Sequence, residues 1–135
     1  MRWRRTRPPA LAARSGRTAC RAFDDGTADC GLVLADWVMD ARGCADPAAH
    51  LRGRYSTPLG RERLLRRLGG MEAVVETCAA NAKLDEAHEP RRGDVGVIEH
   101  SGRQYGAICI GERWALQGDG LVTLVPDRVV RAWRV

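Results

Sequence analysis

What this sequence lacks narrows it before anything else does. Its 135 residues hold no Cys-x-x-Cys pair, one phenylalanine, two tyrosines and three histidines. The five cysteines (Cys20, Cys30, Cys44, Cys78, Cys109) are an odd number, and both they and the histidines (His50, His88, His100) are scattered. That spacing does not support a zinc or cluster motif, so no metal and no cofactor are expected. Reduced thiols in a protein folded in a cytoplasm are the favoured reading. No apolar run approaches the ~20 residues of a membrane span. Pro8–Ala13 is too short, and too soon interrupted by Arg14, for a secretory signal. A soluble single domain is expected from this length.

Acidic residues are missing from one place in particular. Residues 1–22 carry seven arginines and no acid, while the remainder has 15 basic and 17 acidic residues. The body is nearly neutral, and the basic arm accounts for the net charge of +5. Such an arm points to an anionic contact, whether nucleic acid, an acidic protein surface or a cell envelope. With it comes no aromatic stacking set or reading module, which weighs against dedicated nucleic-acid recognition. The domain division is therefore an arm over 1–22 and a folded body over 23–135.

What is present falls into two halves with different hydrophobic periods. Asp29 is a candidate N-cap for a helix in which Leu32, Val33, Ala35, Trp37 and Val38 form one apolar face. Gly43 stops it. Asp46-Pro47 starts a short helical turn through Leu51. Thr57-Pro58 opens another helix, ending at Gly69-Gly70, with Leu59, Leu64, Leu65 and Leu68 inward and Arg61, Arg63, Arg66 and Arg67 mostly outward. A further helix spans about Met71 to Ala80, and 81–92 is a polar connection. From Asp94 the period becomes two. Strands are expected at Val95–Ile98, Tyr105–Ile110, Arg113–Gln117, Leu121–Val125 and Val129–Val135, with tight turns between them. Short consecutive strands of this kind pair antiparallel. The expected class is α+β: N-terminal helices packed on a C-terminal five-stranded antiparallel sheet or half-barrel.

Asp29-Cys30-Gly31-Leu32 at a helix head, a helical middle, Arg92-Gly93-Asp94-Val95 before the first strand, and Ile108-Cys109-Ile110-Gly111 closing the second form one pattern. It resembles the NlpC-type branch of the papain-like cysteine peptidases, which hydrolyse amide bonds in peptidoglycan stem peptides. A longer set of segments is similar to a family of such domains from phages and prophages. That set comprises Phe23-Asp24-Asp25-Gly26-Thr27-Ala28-Asp29-Cys30, Ala35-Asp36-Trp37-Val38, Leu51-Arg52-Gly53-Arg54-Tyr55, Gly69-Gly70 and Arg131-Ala132-Trp133-Arg134-Val135. The resemblance covers about residues 23–135 and leaves the arm outside.

The resemblance implies a site. A cysteine at a helix N-terminus has its thiolate favoured by the helix dipole, which assigns Cys30 as candidate nucleophile. In the peptidases a histidine six residues before the glycine of Gly111 takes the proton, and here that residue is Tyr105. Gln117, twelve residues on, is the candidate orienting residue. Tyrosine, with an ordinary pKa near ~10, is a poor base at neutral pH. His100, near the end of the first strand, is the substitute base. Cys30 thus has two open readings, nucleophile or buried small hydrophobe. The Arg92-Gly93-Asp94 tripeptide, known from receptor binding, is read as a turn.

The implied function is a tail-tip or tail-assembly component of a phage, prophage or gene-transfer particle, structural, with a degenerate catalytic site. Its partners would be other tail or baseplate proteins, and peptidoglycan. Its place would be the virion, after assembly in the bacterial cytoplasm. Two alternatives stand beside it. One is an active cysteine peptidase or amidase using Cys30 and His100, and the other an anion-binding adaptor acting through the arm.

Overall fold

The computed structural model describes residues 30–118 and 120–135, with Cys30 described through its backbone alone. The basic arm and the Asp29 cap expected above lie outside these residues. Three helices come first: α1 (Cys30–Arg42), α2 (Pro58–Arg67) and α3 (Met71–Asn81). Five strands follow: β1 (Val95–His100), β2 (Arg103–Cys109), β3 (Trp114–Gly118), β4 (Gly120–Leu124) and β5 (Arg128–Trp133). The α+β class with a five-stranded antiparallel sheet is what the periodicity predicts.

The spatial order is β4-β3-β2-β1-β5, all neighbours antiparallel. The first four strands form a meander, and the last returns to the free side of β1. Between β1 and β2 the turn is Ser101-Gly102, with φ of 51° and 77°. Both residues are left-handed, the geometry whose twist matches a two-residue hairpin. The outer edge of β5 is covered in turn: Ala87 N–H donates to Ala132 O and Arg134 N–H to Asp85 O, at 2.8 Å each. The polar connection therefore contributes a short stretch of backbone to the sheet and blunts its edge.

Pairing requires β1 and β5 to come unusually close. A Cβ at Gly96 would stand 2.5 Å from Arg131 O and 3.2 Å from the Ala132 Cα. Glycine at 96 is thus a packing requirement of the sheet.

The sheet has two buried faces. Val95, Val97, Ile108 and Trp133 face the helices and pack with Val33, Leu34, Trp37 and Val38 of α1 and Val75 and Ala79 of α3. Ile98, Ala107, Cys109, Trp114, Leu116 and Ala132 form a separate cluster on the other face, joined by Ala87. A third cluster, Leu32, Ala35, Ala48, Leu51, Leu64 and Val74, lies on the side of α1 away from the sheet.

Two expectations about the helices are corrected here. Instead of one apolar face, α1 is buried from Leu32 through Val38, Leu34 included, because it is sandwiched between sheet and helices. In α2 only Leu64 is buried, and Leu59 and Leu68 are 57% and 42% exposed rather than inward. Leu59 falls in the first turn, before the helix meets α1 and α3, and Leu68 falls past its end. The segment after Asp46 is a run of turns, closed by bonds such as Leu51 N–H to Ala48 O at 2.9 Å.

Candidate functional site

The head of α1 is where the cysteine of the Asp29-Cys30-Gly31-Leu32 motif falls, and Cys30 is the first residue of the helix. Its first turn contains no acidic residue. The helix is held in place by Trp37, which is fully buried and donates its indole N–H to Gly93 O at 2.7 Å. That bond ties α1 directly to the Arg92-Gly93-Asp94 turn.

In the turn, Asp94 is 1% exposed and fully engaged. Its Oδ2 accepts from Arg91 N–H at 2.8 Å and from Arg134 Nε at 2.9 Å, and its Oδ1 from Val135 N–H at 3.2 Å. The carboxylate thus closes the turn and also clamps the chain beyond β5. It is not presented to a receptor, and the turn reading of the tripeptide holds.

Register decides which candidates can meet. Val95 pairs with Ile108 and Ile98 with Tyr105, so alternation puts Tyr105 on the face of Ala107 and Cys109, away from α1. Its ring packs with that far cluster. His100, two residues beyond Ile98, shares the far face, and its Nδ1 is buried with no hydrogen-bond partner among the described residues. Gln117 is on the other side: Ala115 pairs with Ile108, and Gln117 follows it by two on the α1 face. Gln117 is 2% exposed, and its Nε2 donates to Gly118 O at 2.7 Å and Gly120 O at 3.4 Å. This amide therefore secures the β3–β4 hairpin. The structure gathers the helix headed by Cys30 and Gln117 on one side, and Tyr105 and His100 on the other. His50 and His88 are exposed, as expected.

Cys44, Cys78 and Cys109 are free. Burial pushes the Cys78 thiol up to about 11, and burial likewise raises that of Cys109, whose Sγ donates to Gly111 O at 3.3 Å. Both are protonated at neutral pH and poor nucleophiles. Among the described residues, no group of three His, Cys, Asp or Glu side chains could hold a metal. No described helix is long and apolar enough to cross a membrane.

A second polar constellation lies beside α1, one with no direct sign in the sequence pattern. Arg52 NH2 binds Asp36 at 2.8 Å, and its Nε binds Asp46. The other Asp46 oxygen accepts from Ala48 N–H at 3.0 Å. Burial works to raise the Asp46 pKa, but the hydrogen bonds from Arg52 and Ala48 outweigh it and hold the carboxyl below its ordinary range. One guanidinium therefore joins Ala35-Asp36-Trp37-Val38 to Leu51-Arg52-Gly53-Arg54-Tyr55. Opposite charges 16 residues apart carry no signal of pairing by themselves.

No curated protein and no solved structure matches the chain. One family does, over residues 3–135, a match that runs through the basic segment as well as the folded body. With almost its whole length matched, the chain belongs to the family described as a domain of unknown function, DUF6950.

Proposed function

We propose that this chain is a non-hydrolytic NlpC-like domain serving as a structural component of a phage, prophage or gene-transfer particle tail. The papain-like assignment is supported by a cysteine-headed helix packed on an antiparallel sheet, with a Gly-Asp lead-in to the first strand. The tail role rests on the resemblance to phage and prophage domains.

One observation carries the structural reading. Both residues that could act as the base, Tyr105 and His100, lie on the sheet face opposite α1. A thiol needs a base within hydrogen-bond reach, oriented by a third group. Here the candidate third group, Gln117, spends its amide nitrogen on the β3–β4 turn. The helix headed by Cys30 is thus left without a proton shuttle on its own face of the sheet.

The test is hydrolysis of stem-peptide amides by the purified full-length chain, followed as release of free amine. Wild type and Cys30→Ser should both match the uncatalysed background. Turnover by wild type that disappears in Cys30→Ser would overturn the proposal and establish a working amidase.

A further inference from the structure

The two edges of the sheet are finished differently. Along the outer side of β5 runs the 85–87 stretch, bonded to it through Ala87 N–H to Ala132 O and Arg134 N–H to Asp85 O. β5 also carries two charges of its own, Arg128 and Arg131. At the other end of the order lies β4, which pairs with β3 alone. Among the described residues, no backbone segment runs along its outer side. An edge strand turns alternate N–H and C=O groups away from its sheet, so β4 offers a template for one further strand.

The residues along that edge suit it to being covered. From Gly120 to Val125 the sequence Gly-Leu-Val-Thr-Leu-Val holds no charge and no proline. Its β-branched members fit a pleated surface. Val122 and Val125 are 39% and 55% exposed. Natural edges are ordinarily blunted by lysine, proline, a bulge or a covering loop. One guarding side chain is present here, Arg113, whose Nη2 and Nε donate to the carbonyl and hydroxyl of Thr123 at 3.0 and 3.4 Å. It reaches that one residue of the strand.

We propose that β4 pairs antiparallel with β4 of a second copy of this chain across a two-fold axis, joining the two sheets into one. The lack of charge is what points to a like strand. At a two-fold axis each side chain meets its own counterpart, so a charged strand would set like charges against each other. Directly opposed residues share a face, so the axis must fall where one residue faces its own copy. Centred on Val122, the pairing sets Val122 against itself, Leu121 against Thr123 and Gly120 against Leu124. Centred on Thr123, the same count would bring Asp119 of one copy toward Asp127 of the other, an acid pair. Val122 is therefore the centre. The proposal uses neither Cys30 nor the tail reading, and a working amidase would leave it standing.

Sedimentation velocity of the full-length chain, at concentrations up to about 1 mM, should show a reversible dimer. Raising the salt should leave it intact, because backbone hydrogen bonds and apolar contact hold it and no ion pair does. Val122→Lys and Val122→Glu, each made at an exposed side chain, should each weaken the dimer at least about tenfold by facing a charge with its copy. An equimolar mixture of the two variants should dimerise again, since opposite charges then meet at the axis. Hydrogen exchange on wild type needs no variant: amides of β4 should gain protection as concentration rises, while those of β5 stay unchanged. A wild type that remains monomeric, protection that does not change in β4, or single variants that dimerise as wild type does would each overturn the proposal. A dimer lost at high salt would assign the contact to charged groups instead. A mixture that stays monomeric would show that Val122 does not face itself and would overturn the two-fold pairing.

Discussion

Asp94 shows how much a single side chain can organise when it is buried and charged. It lies at the end of a turn, and three donors from Arg91, Arg134 and Val135 converge on its two oxygens. Removing it strands two backbone N–H groups and a guanidinium whose side chain is about one-third exposed. Water can reach that guanidinium, which softens the loss relative to a fully buried pair. We expect Asp94→Ala to lower unfolding free energy by about 2–3 kcal/mol. The measurement is the urea midpoint at constant slope, and a change below about 0.5 kcal/mol would contradict the clamp. At Gly111 the backbone, at φ 118°, lies against the Arg92 guanidinium, which a Cβ there would approach to 3.3 Å. The strand-closing glycine of the Ile-Cys-Ile-Gly motif thus makes room for a neighbouring cation.

Among the elements, the helices differ in how firmly they are tied. Buried through seven consecutive residues, α1 is held by the Trp37 bond, whereas α2 depends largely on its own local signals. These are strong: Thr57 Oγ1 accepts from Gly60 N–H at 3.0 Å, and Pro58 occupies the first turn. The last turn carries Arg66 and Arg67 against the negative end of the dipole. Thr57→Ala should therefore cost about 1 kcal/mol, and the cost should be local. Native-state hydrogen exchange is expected to speed up across α2 while the amides of β1 stay unchanged. Equal acceleration in both would mean that α2 unfolds only with the whole domain. β5 is the opposite case, an element with almost no independent existence. It requires Gly96 opposite it, the Asp94 clamp beyond it, and the 85–87 stretch along its outer edge.

Taken whole, the molecule is held at its two ends by different means. On the sheet side, Arg131 joins Glu76 of α3 and Glu86 of the connection, and lies 4.8 Å from the Trp133 ring centroid. These pairs are exposed, and screening limits their worth. On the helical side, the Asp36–Arg52–Asp46 cluster joins segments that no strand connects. Burial opposes ionisation of Asp46, but its bonds to Arg52 and Ala48 prevail and leave its folded pKa below the ordinary value of 3.8. A depressed carboxyl stabilises the fold above its unfolded pKa, and that stability drains away as pH falls through the folded one. Wild type should therefore lose stability more steeply below about pH 4 than Asp46→Asn does. Parallel acid-unfolding curves for the two proteins would show that the cluster contributes nothing through this group.

Local periodicity alone determined the α+β class, the helix breaks at Gly43 and Gly69-Gly70, and the switch from period 3.6 to period 2 near Asp94, because each is set by neighbours within a turn or two. The Ser101-Gly102 hairpin was legible for the same reason. Which strand lies beside β1, why 96 must be glycine, and that α1 is buried on nearly every side were left to the tertiary structure. Those depend on contacts between residues far apart in the chain, which propensity does not encode. The candidate site divides in the same way. The sequence has a tyrosine where the resemblance to the peptidases implies a base, and strand register turned both Tyr105 and His100 away from the helix that Cys30 heads. A side chain's face follows from pairing with a partner strand, and a shift of one residue reverses it.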